Sequence, residues 1–196
     1  MNSQHVRYFV ALGIILLTLA SPTVAQEQER ETFRALARHV GTGPSGQTTI
    51  TINIDRWSTQ EEHDQLLEVI MEGSNQDISD SMRRMDSVGF LRTTGRAQGR
   101  GMQSWQFRYA RETVDADGIR TIRLATDRPI LFVEAVRRPR RSWDSQTTLI
   151  ELNVDENGEG SGVLMAGVEF TVDAKTNNIT LSHLSSNPVR LEQVRR

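Results

Sequence analysis

The C-terminal part of the chain alternates apolar runs with short polar turns, a pattern typical of β-strands joined by hairpins. The runs lie at residues 146–154, 161–172, 178–184 and 188–194. Because the second run is too apolar to face water, we expect it to be a core strand that the other strands and upstream elements cover. Consecutive strands with short connections pair antiparallel, so the four runs predict a meander.

The sequence before this part predicts a strand followed by a pair of helices. Residues 47–54 alternate β-branched and polar side chains with a period of two, which is typical of a half-buried strand. Ser58 and Glu61 have the spacing of a capping box, which satisfies backbone N–H groups at a helix start. Gly73 is predicted to end that helix in the left-handed conformation, and residues 75–85 are predicted to form a second short helix.

Further strands are predicted at residues 88–93, 103–110, 119–126 and 130–136. Residues 26–46 predict a short helix or a strand that leads into a single β-rich domain at 47–196. The predicted fold class is α+β, mainly an antiparallel β meander that forms an open barrel-like or highly curved sheet, with a pair of short helices inserted after the first strand. The pattern does not decide whether the sheet closes into a barrel.

Residues 1–25 have the three parts of a cleavable bacterial signal peptide. A basic n-region precedes an apolar run at 8–20, and Thr23 and Ala25 are the small residues that a signal peptidase reads. We expect cleavage before Gln26 and a protein that is secreted or periplasmic. The apolar run is shorter than the roughly 20 residues that cross a bilayer. An uncleaved anchor is therefore the less favoured alternative, and no membrane span is expected after cleavage.

Composition favours a fold stabilised by apolar burial, and the high arginine content has two explanations. The chain has no cysteine and hence no disulfide. Of its 23 basic residues all but Lys175 are arginine, whose planar guanidinium binds carboxylate and phosphate as a fork. Residues 83–141 contain 14 basic and 6 acidic residues. This basic band would bind lipopolysaccharide, acidic glycans or stray nucleic acid in a salt-dependent way. A GC-rich genome is the simpler explanation of arginines spread along the chain.

The residues that common catalytic and metal chemistry requires are missing from the sequence. Histidines after residue 25 are His39, His63 and His183, and none is spaced as in a metal motif. Neither a nucleophile elbow nor a phosphate-binding loop occurs, so we expect no metal and no cofactor. His63 lies on the apolar face of the first helix, where a structural role is the better interpretation. Asp155 and Asn157 imitate the start of a calcium loop but fit a solvated hairpin tip better.

Glu134 is the candidate catalytic residue, because it interrupts an apolar strand. Burial can raise the pKa of a carboxyl group and make it the acid of a glycosidase. An inward-pointing charge that pairs with an arginine is the commoner arrangement. Glu134 therefore supports only the alternative hypothesis, a glycan-acting hydrolase or lyase that uses a pair of carboxylates.

Aromatic and basic residues supply the candidate ligand-binding positions. Trp105 and Tyr109 lie with Phe107 on one face of a predicted strand, where they either line a ligand cavity or belong to the core. The basic loop that follows residue 136 offers guanidinium groups and an indole to an anionic partner, or is an ordinary solvated turn. Its candidate binding residues are Arg137, Arg138, Arg140, Arg141 and Trp143.

Four short segments carry a resemblance to known sequences. They are TITINI at 49–54, STQEE at 58–62, RPILFVE at 128–134 and NPVRL at 187–191. Together they resemble a family of uncharacterised secreted bacterial proteins with no assigned function. The resemblance covers nearly all of the chain after residue 25 and implies export, but it implies no activity for any residue.

These observations predict an exported, soluble, non-enzymatic binding or interaction module. Its expected partner is an apolar small molecule or an anionic component of the cell envelope, and no specific nucleic-acid binding is expected. The three-dimensional structure discriminates between binding inside the barrel and binding at its surface. A closed barrel with a polar-lined cavity would favour an internal ligand, whereas a filled core would favour interaction at the surface.

Overall fold

The computed structural model describes residues 30–39, 46–93, 103–130, 147–173, 178–183 and 188–196. The elements in these residues are β1 (Glu31–His39), β2 (Gly46–Ile54), α1 (Gln60–Glu72), α2 (Asn75–Arg84), β3 (Gly89–Thr93), β4 (Ser104–Phe107), β5 (Tyr109–Val114), β6 (Arg120–Thr126), β7 (Thr148–Val154), β8 (Gly160–Ala166), β9 (Val168–Asp173), β10 (Asn178–His183) and β11 (Val189–Arg195). The predicted signal peptide and all of the predicted strand at 130–136 beyond Ile130 lie outside the described residues. Neither described helix is long and apolar enough to cross a membrane.

Nine strands form one antiparallel sheet that is nearly closed and barrel-shaped. Their order is β4-β3-β2-β1-β11-β8-β7-β6-β5. The two strands at the edges, β4 and β5, are consecutive in the chain and are separated only by Arg108. One chain segment therefore pairs with β3 through its first half and with β6 through its second half. The predicted α+β class, with a mainly antiparallel sheet, is confirmed.

The main core lies on the inner face of this sheet. Along β1 the side chains of Phe33 and Ala35 are buried, whereas those of Thr32 and Arg34 are exposed, as the period of two in a strand requires. Large apolar side chains from all parts of the sheet meet in one cluster. It includes Phe33, Ile50, Ile52, Leu91, Phe107, Ile122, Leu124, Ile150, Leu152, Leu164 and Leu191. The described interior is thus filled by side chains, and the predicted core position of Leu164 is confirmed.

The two helices bury a second, smaller cluster against the sheet. Leu66, Ile78 and Met82 project from the helices and pack with Ala125 and Leu149 of the sheet. The helical pair follows β2 rather than the first strand, because the segment predicted as a helix or a strand before residue 47 contains β1. This strand pairs on both sides, with β2 and with β11, and so lies in the middle of the sheet.

The first helix begins one residue later than the sequence predicts. Thr59 is the N-cap: its hydroxyl accepts from the Glu62 N–H at 3.1 Å, and the Glu62 carboxylate accepts from the Thr59 N–H at 2.9 Å. Ser58 cannot cap the helix because it pairs with Ala110, donating its N–H to the Ala110 carbonyl at 2.8 Å and accepting the Ala110 N–H at 3.1 Å. The predicted Ser58–Glu61 box is therefore wrong in register.

The glycine that ends α1 does so for a different reason from the one predicted. Gly73 has φ −97° and ψ 175°, which is extended backbone and not the left-handed conformation. A Cβ atom at this position would lie 2.6 Å from the Val69 carbonyl oxygen. Glycine is required here because the chain passes close to the end of the helix, and not because the backbone is left-handed.

The predicted C-terminal meander is wrong in its connectivity. The run at 161–172 is two strands, because Gly167 adopts φ 66° and turns the chain out of the sheet. After this break β9 pairs, among the described strands, with β10 in a separate two-stranded sheet. The last strand, β11, returns to the barrel and lies between β8 and β1.

The hairpin between β7 and β8 is a polar turn, as the sequence predicts. The Asp155 carboxylate accepts the N–H groups of Asn157 and Glu159, each at 2.9 Å. These backbone N–H groups hold the pKa of Asp155 below its ordinary value. The Asp155 carboxylate, which imitates the first ligand of a calcium loop, therefore stabilises the turn itself.

Candidate functional site

A groove of about 840 Å³ opens between α2, the β4–β5 segment and the loop after β6. Each of these elements contributes polar side chains. The lining residues are Arg83, Ser104, Trp105, Gln106, Arg108, Asp127, Arg128 and Pro129. In this groove charged side chains and an aromatic side chain meet.

Buried threonines fix the loop that forms one wall of the groove. The hydroxyl of Thr126 donates to the Arg128 carbonyl and accepts the Arg128 N–H at 3.3 Å. The hydroxyl of Thr148, on the neighbouring strand, also donates to the Arg128 carbonyl, at 3.1 Å, and accepts the Ile130 N–H at 2.9 Å. Both threonines are fully buried. The loop is thereby held in one conformation although its proline prevents it from continuing the sheet.

Arg108 occupies the break between β4 and β5 and joins three elements. Its backbone N–H donates to the Ala125 carbonyl at 2.8 Å, which attaches the break to β6. Its Nη1 donates to the carbonyl of Met85 at 3.1 Å, at the C-terminal end of α2. A cation is favourable at that end because the last carbonyls of a helix carry partial negative charge. The side chain is half-buried, with 18% exposed.

Three guanidinium groups converge on one buried carboxylate. The Asp127 side chain is 4% exposed, and its Oδ1 lies 3.5 Å from Nε of Arg108. Its Oδ2 lies 3.9 Å from Nε of Arg83 and 3.9 Å from Nε of Arg128. Arg83 also donates to Asp80 at 2.8 Å. The cluster therefore has an excess of positive charge, and Arg128, with 75% of its side chain exposed, is the cation nearest to solvent.

Two polar atoms of this cluster lack hydrogen bonds. Both Asp127 Oδ2 and Arg108 Nε are buried and have no hydrogen-bond partner within the described part of the chain. A buried donor or acceptor without a partner costs about 1–3 kcal/mol. Such groups are rare in folded proteins and point to a ligand or to ordered water.

Trp105 is the predicted binding residue that the structure places in the groove. Its half-buried side chain packs against the main core and also lines the groove. An indole beside guanidinium groups provides a flat apolar surface within a charged site.

Tyr109 does not share this position, because the break at Arg108 ends the predicted aromatic face. Its hydroxyl and Nδ1 of His63 form a hydrogen bond of 2.8 Å, and the two side chains pack on the helix side of the sheet. Burial raises the pKa of Tyr109. Burial, together with the charge of Arg111, lowers the pKa of His63. Both shifts favour the neutral forms of the two side chains, whose hydrogen bond joins α1 to β5.

The other predicted site residues lie outside the described residues. They are Glu134, Arg137, Arg138, Arg140, Arg141 and Trp143. The hypothesis of a carboxylate pair that includes Glu134 therefore stays a prediction. In the described ranges no group of three or more His, Asp or Glu side chains could hold a metal ion.

Sequence reasoning missed the charged cluster itself, whose members are Arg83, Arg108, Asp127 and Arg128. Residues 127–129 lie between the strands predicted at 119–126 and 130–136, where the pattern predicts no binding residue. The available signal was an acidic residue directly after a buried strand and next to an arginine, in the basic band of the chain.

Comparison with known proteins adds no assignment to this site. No protein-family model, no curated protein and no solved structure matches the chain.

Proposed function

We propose that the chain is an exported, non-enzymatic binding module that holds an acidic glycan in the groove around Asp127. The observation that carries the proposal is the buried Asp127 carboxylate, which lies among three guanidinium groups, has an oxygen without a hydrogen bond, and shares the groove with Trp105. Export is supported by the signal-like pattern of residues 1–25, and acidic glycans are polymers that an exported protein meets.

The filled barrel favours a ligand at the surface over an apolar molecule held inside. Large side chains such as Phe33, Phe107 and Ile150 are fully buried in the interior. Protein interiors packed in this way have few voids larger than a water molecule. A ligand of sugar size therefore requires a surface concavity such as the groove.

The groove offers the contacts that an acidic sugar needs. The carboxylate of a uronate accepts hydrogen bonds from Arg128, whose guanidinium is exposed and suited to a two-pronged contact. A sugar hydroxyl donates to Asp127 Oδ2 once the partly exposed side chains of Arg83 and Arg128 move aside. One face of a sugar ring is apolar and packs on an indole such as that of Trp105. A neutral sugar has no carboxylate to accept hydrogen bonds from Arg128. A simple anion has no apolar ring face to pack on Trp105.

Calorimetric titration with a galacturonic acid trisaccharide, beside a neutral galactose trisaccharide, tests the proposal. The acidic trisaccharide is expected to bind, and more weakly as sodium chloride is raised, whereas the neutral one does not bind. Arg128→Gln is expected to weaken binding by a factor of about 10 to 150, because a hydrogen bond to a charged group contributes about 1.5–3 kcal/mol. Arg123→Gln is the matched control, since Arg123 lies on β6 and pairs with Glu151 outside the groove.

The outcomes separate the groove from non-specific charge attraction. Equal loss of affinity in both variants would mean that the net charge of the protein, and not the groove, binds the sugar. Absence of binding at low salt, with a folded protein, would overturn the proposal.

A further inference from the structure

Two arginine side chains are exposed on the outer face of the sheet, where β1 meets β11. Arg34 of β1 and Arg195 of β11 are direct cross-strand partners. The next paired residues are Leu36 and Glu192, so β11 carries one extra residue between the two pairs. The extra residue is explained by a β-bulge at Gln193, which has φ 54°.

The bulge lies beside a concavity of about 620 Å³ on the outer face of the sheet. Its lining is basic, polar and partly apolar, with no carboxylate among the described lining residues. The lining residues are Thr32, Arg34, Ala35, Leu36, Thr49, Gln193, Arg195 and Arg196.

Arg34 and Arg195 line the same concavity and have no counter-ion among the described residues. No carboxylate of the described residues lies within 4.0 Å of Arg34 or Arg195, so the described pairs leave both charges uncompensated. Like charges that face each other directly across two strands destabilise a sheet. The neighbouring pair on the same strands differs in this respect: Arg38 and Arg190 also face each other, but Arg38 lies 3.9 Å from Glu192.

We propose that Arg34 and Arg195 together bind a single oxyanion, a phosphate or sulfate group. Each guanidinium presents two N–H groups as a fork, and phosphate and sulfate accept such forks with adjacent oxygens. A bound oxyanion replaces the repulsion between the two side chains by two attractions. This site is independent of the groove around Asp127, because the two concavities share no lining residue.

Thermal unfolding at low ionic strength tests the site, with sodium sulfate and sodium phosphate compared with sodium chloride at matched ionic strength. At a concentration about tenfold above Kd, the oxyanions are expected to raise Tm by about 3–5 °C relative to chloride. Arg34→Gln and Arg195→Gln are each expected to abolish this rise. In chloride alone both variants are expected to unfold at or above the wild-type Tm, because the repulsion is removed.

Arg190→Gln and Arg123→Gln are the controls and are expected to keep the full response to sulfate. The first removes the same charge from the same face of β11, and the second removes a cation of β6 that lines neither concavity. A response to sulfate in Arg34→Gln as large as in the wild type, or an equal response to chloride, would overturn the proposal. If a variant unfolds, sulfate titration of the wild type followed by NMR decides: shifts confined to the amides of residues 34–36 and 193–195 support the site, and their absence refutes it.

Discussion

Arg120 connects two strands of the barrel that are not neighbours in the sheet. Its guanidinium donates to both carboxylate oxygens of Glu31, at 2.7 and 3.1 Å, and to Glu112 at 2.6 and 2.9 Å. Glu31 is on β1 and Arg120 on β6, which are not neighbours in the sheet, so the pair spans the barrel. The hydrogen bonds from Arg120 to Glu31 are the largest cause that raises the pKa of this guanidinium. The ion pair is therefore a connection across the fold and not only between adjacent strands.

Replacing Arg120 by Leu is expected to lower the free energy of unfolding by about 3 kcal/mol, because it leaves the carboxylate of Glu31 buried with one fewer cation. Arg196, at 3.5 Å from Glu31, limits the loss. Urea denaturation measures it. The matched control is Arg123→Leu on the same strand, whose more exposed pair with Glu151 is expected to contribute less than about 1 kcal/mol. Equal losses in the two variants would contradict a special role for the spanning pair.

The candidate site shows what single residues in a sequence can and cannot reveal. Trp105 was predicted because an aromatic side chain in an alternating strand is a strong local signal. Asp127 was not, because its importance depends on Arg83 and Arg108, which come from a helix end and from a break between strands. Nothing local in the sequence specifies that these segments meet. Their meeting depends on the pairing of the strands and on the packing of α2 against the sheet.

At the scale of elements, the start of α1 depends on a carboxylate with two functions. Glu62 accepts the Thr59 N–H as part of the capping box, and it accepts two hydrogen bonds from Arg56, at 2.8 and 2.9 Å. The hydrogen bond with Arg56 is the largest cause that lowers the pKa of Glu62. The helix start and the turn after β2 are thereby held together by one ionised group.

This coupling predicts a pH dependence of stability that is specific to Glu62. Its pKa is lower in the folded protein than the roughly 4.3 of an unfolded chain. The stabilisation is therefore complete above about pH 5 and is lost as the pH falls through the folded pKa. Glu62→Gln is expected to cost about 1–2 kcal/mol at pH 7 and progressively less towards pH 3. Urea midpoints of the two proteins measured from pH 7 to pH 3 should converge, and parallel curves would contradict the prediction.

The sequence pattern predicts the positions of most elements but not where two of the strands end. Periodicity located most strands and both helices, since alternating burial leaves a direct trace in the chain. It missed the break at Arg108, because aromatic alternation continues through it, and the break at Gly167, because the apolar run continues on both sides. At Arg108 the chain leaves β3 and pairs with β6, and at Gly167 it leaves the barrel sheet for the β9–β10 hairpin.

At the scale of the whole molecule, the β9–β10 hairpin is attached to the barrel differently from the other strands. It forms its own two-stranded sheet, and such hairpins are only marginally stable alone. Val168 and Phe170 pack with the helix cluster, and the Phe170 N–H donates to the side chain of Asn75 at 2.8 Å. The Val168 N–H donates to the Thr147 carbonyl at 2.9 Å. These are contacts that attach the hairpin within the described residues, and because it shares no strand pairing with the barrel there, we expect the hairpin to open while the barrel stays folded.

Hydrogen exchange of backbone amides tests this separation, with Arg120→Leu as the probe. Amides of β9 and β10 are expected to exchange at least about tenfold faster than those of β7 in the wild type. Opening of the hairpin leaves the Arg120–Glu31 pair intact, so Arg120→Leu should not change hairpin exchange. The same substitution should accelerate β7 exchange about 100-fold, because those amides are exposed only when the barrel unfolds. If the hairpin amides accelerate as much as those of β7, the barrel and the hairpin unfold as one cooperative unit and the chain has no separable part.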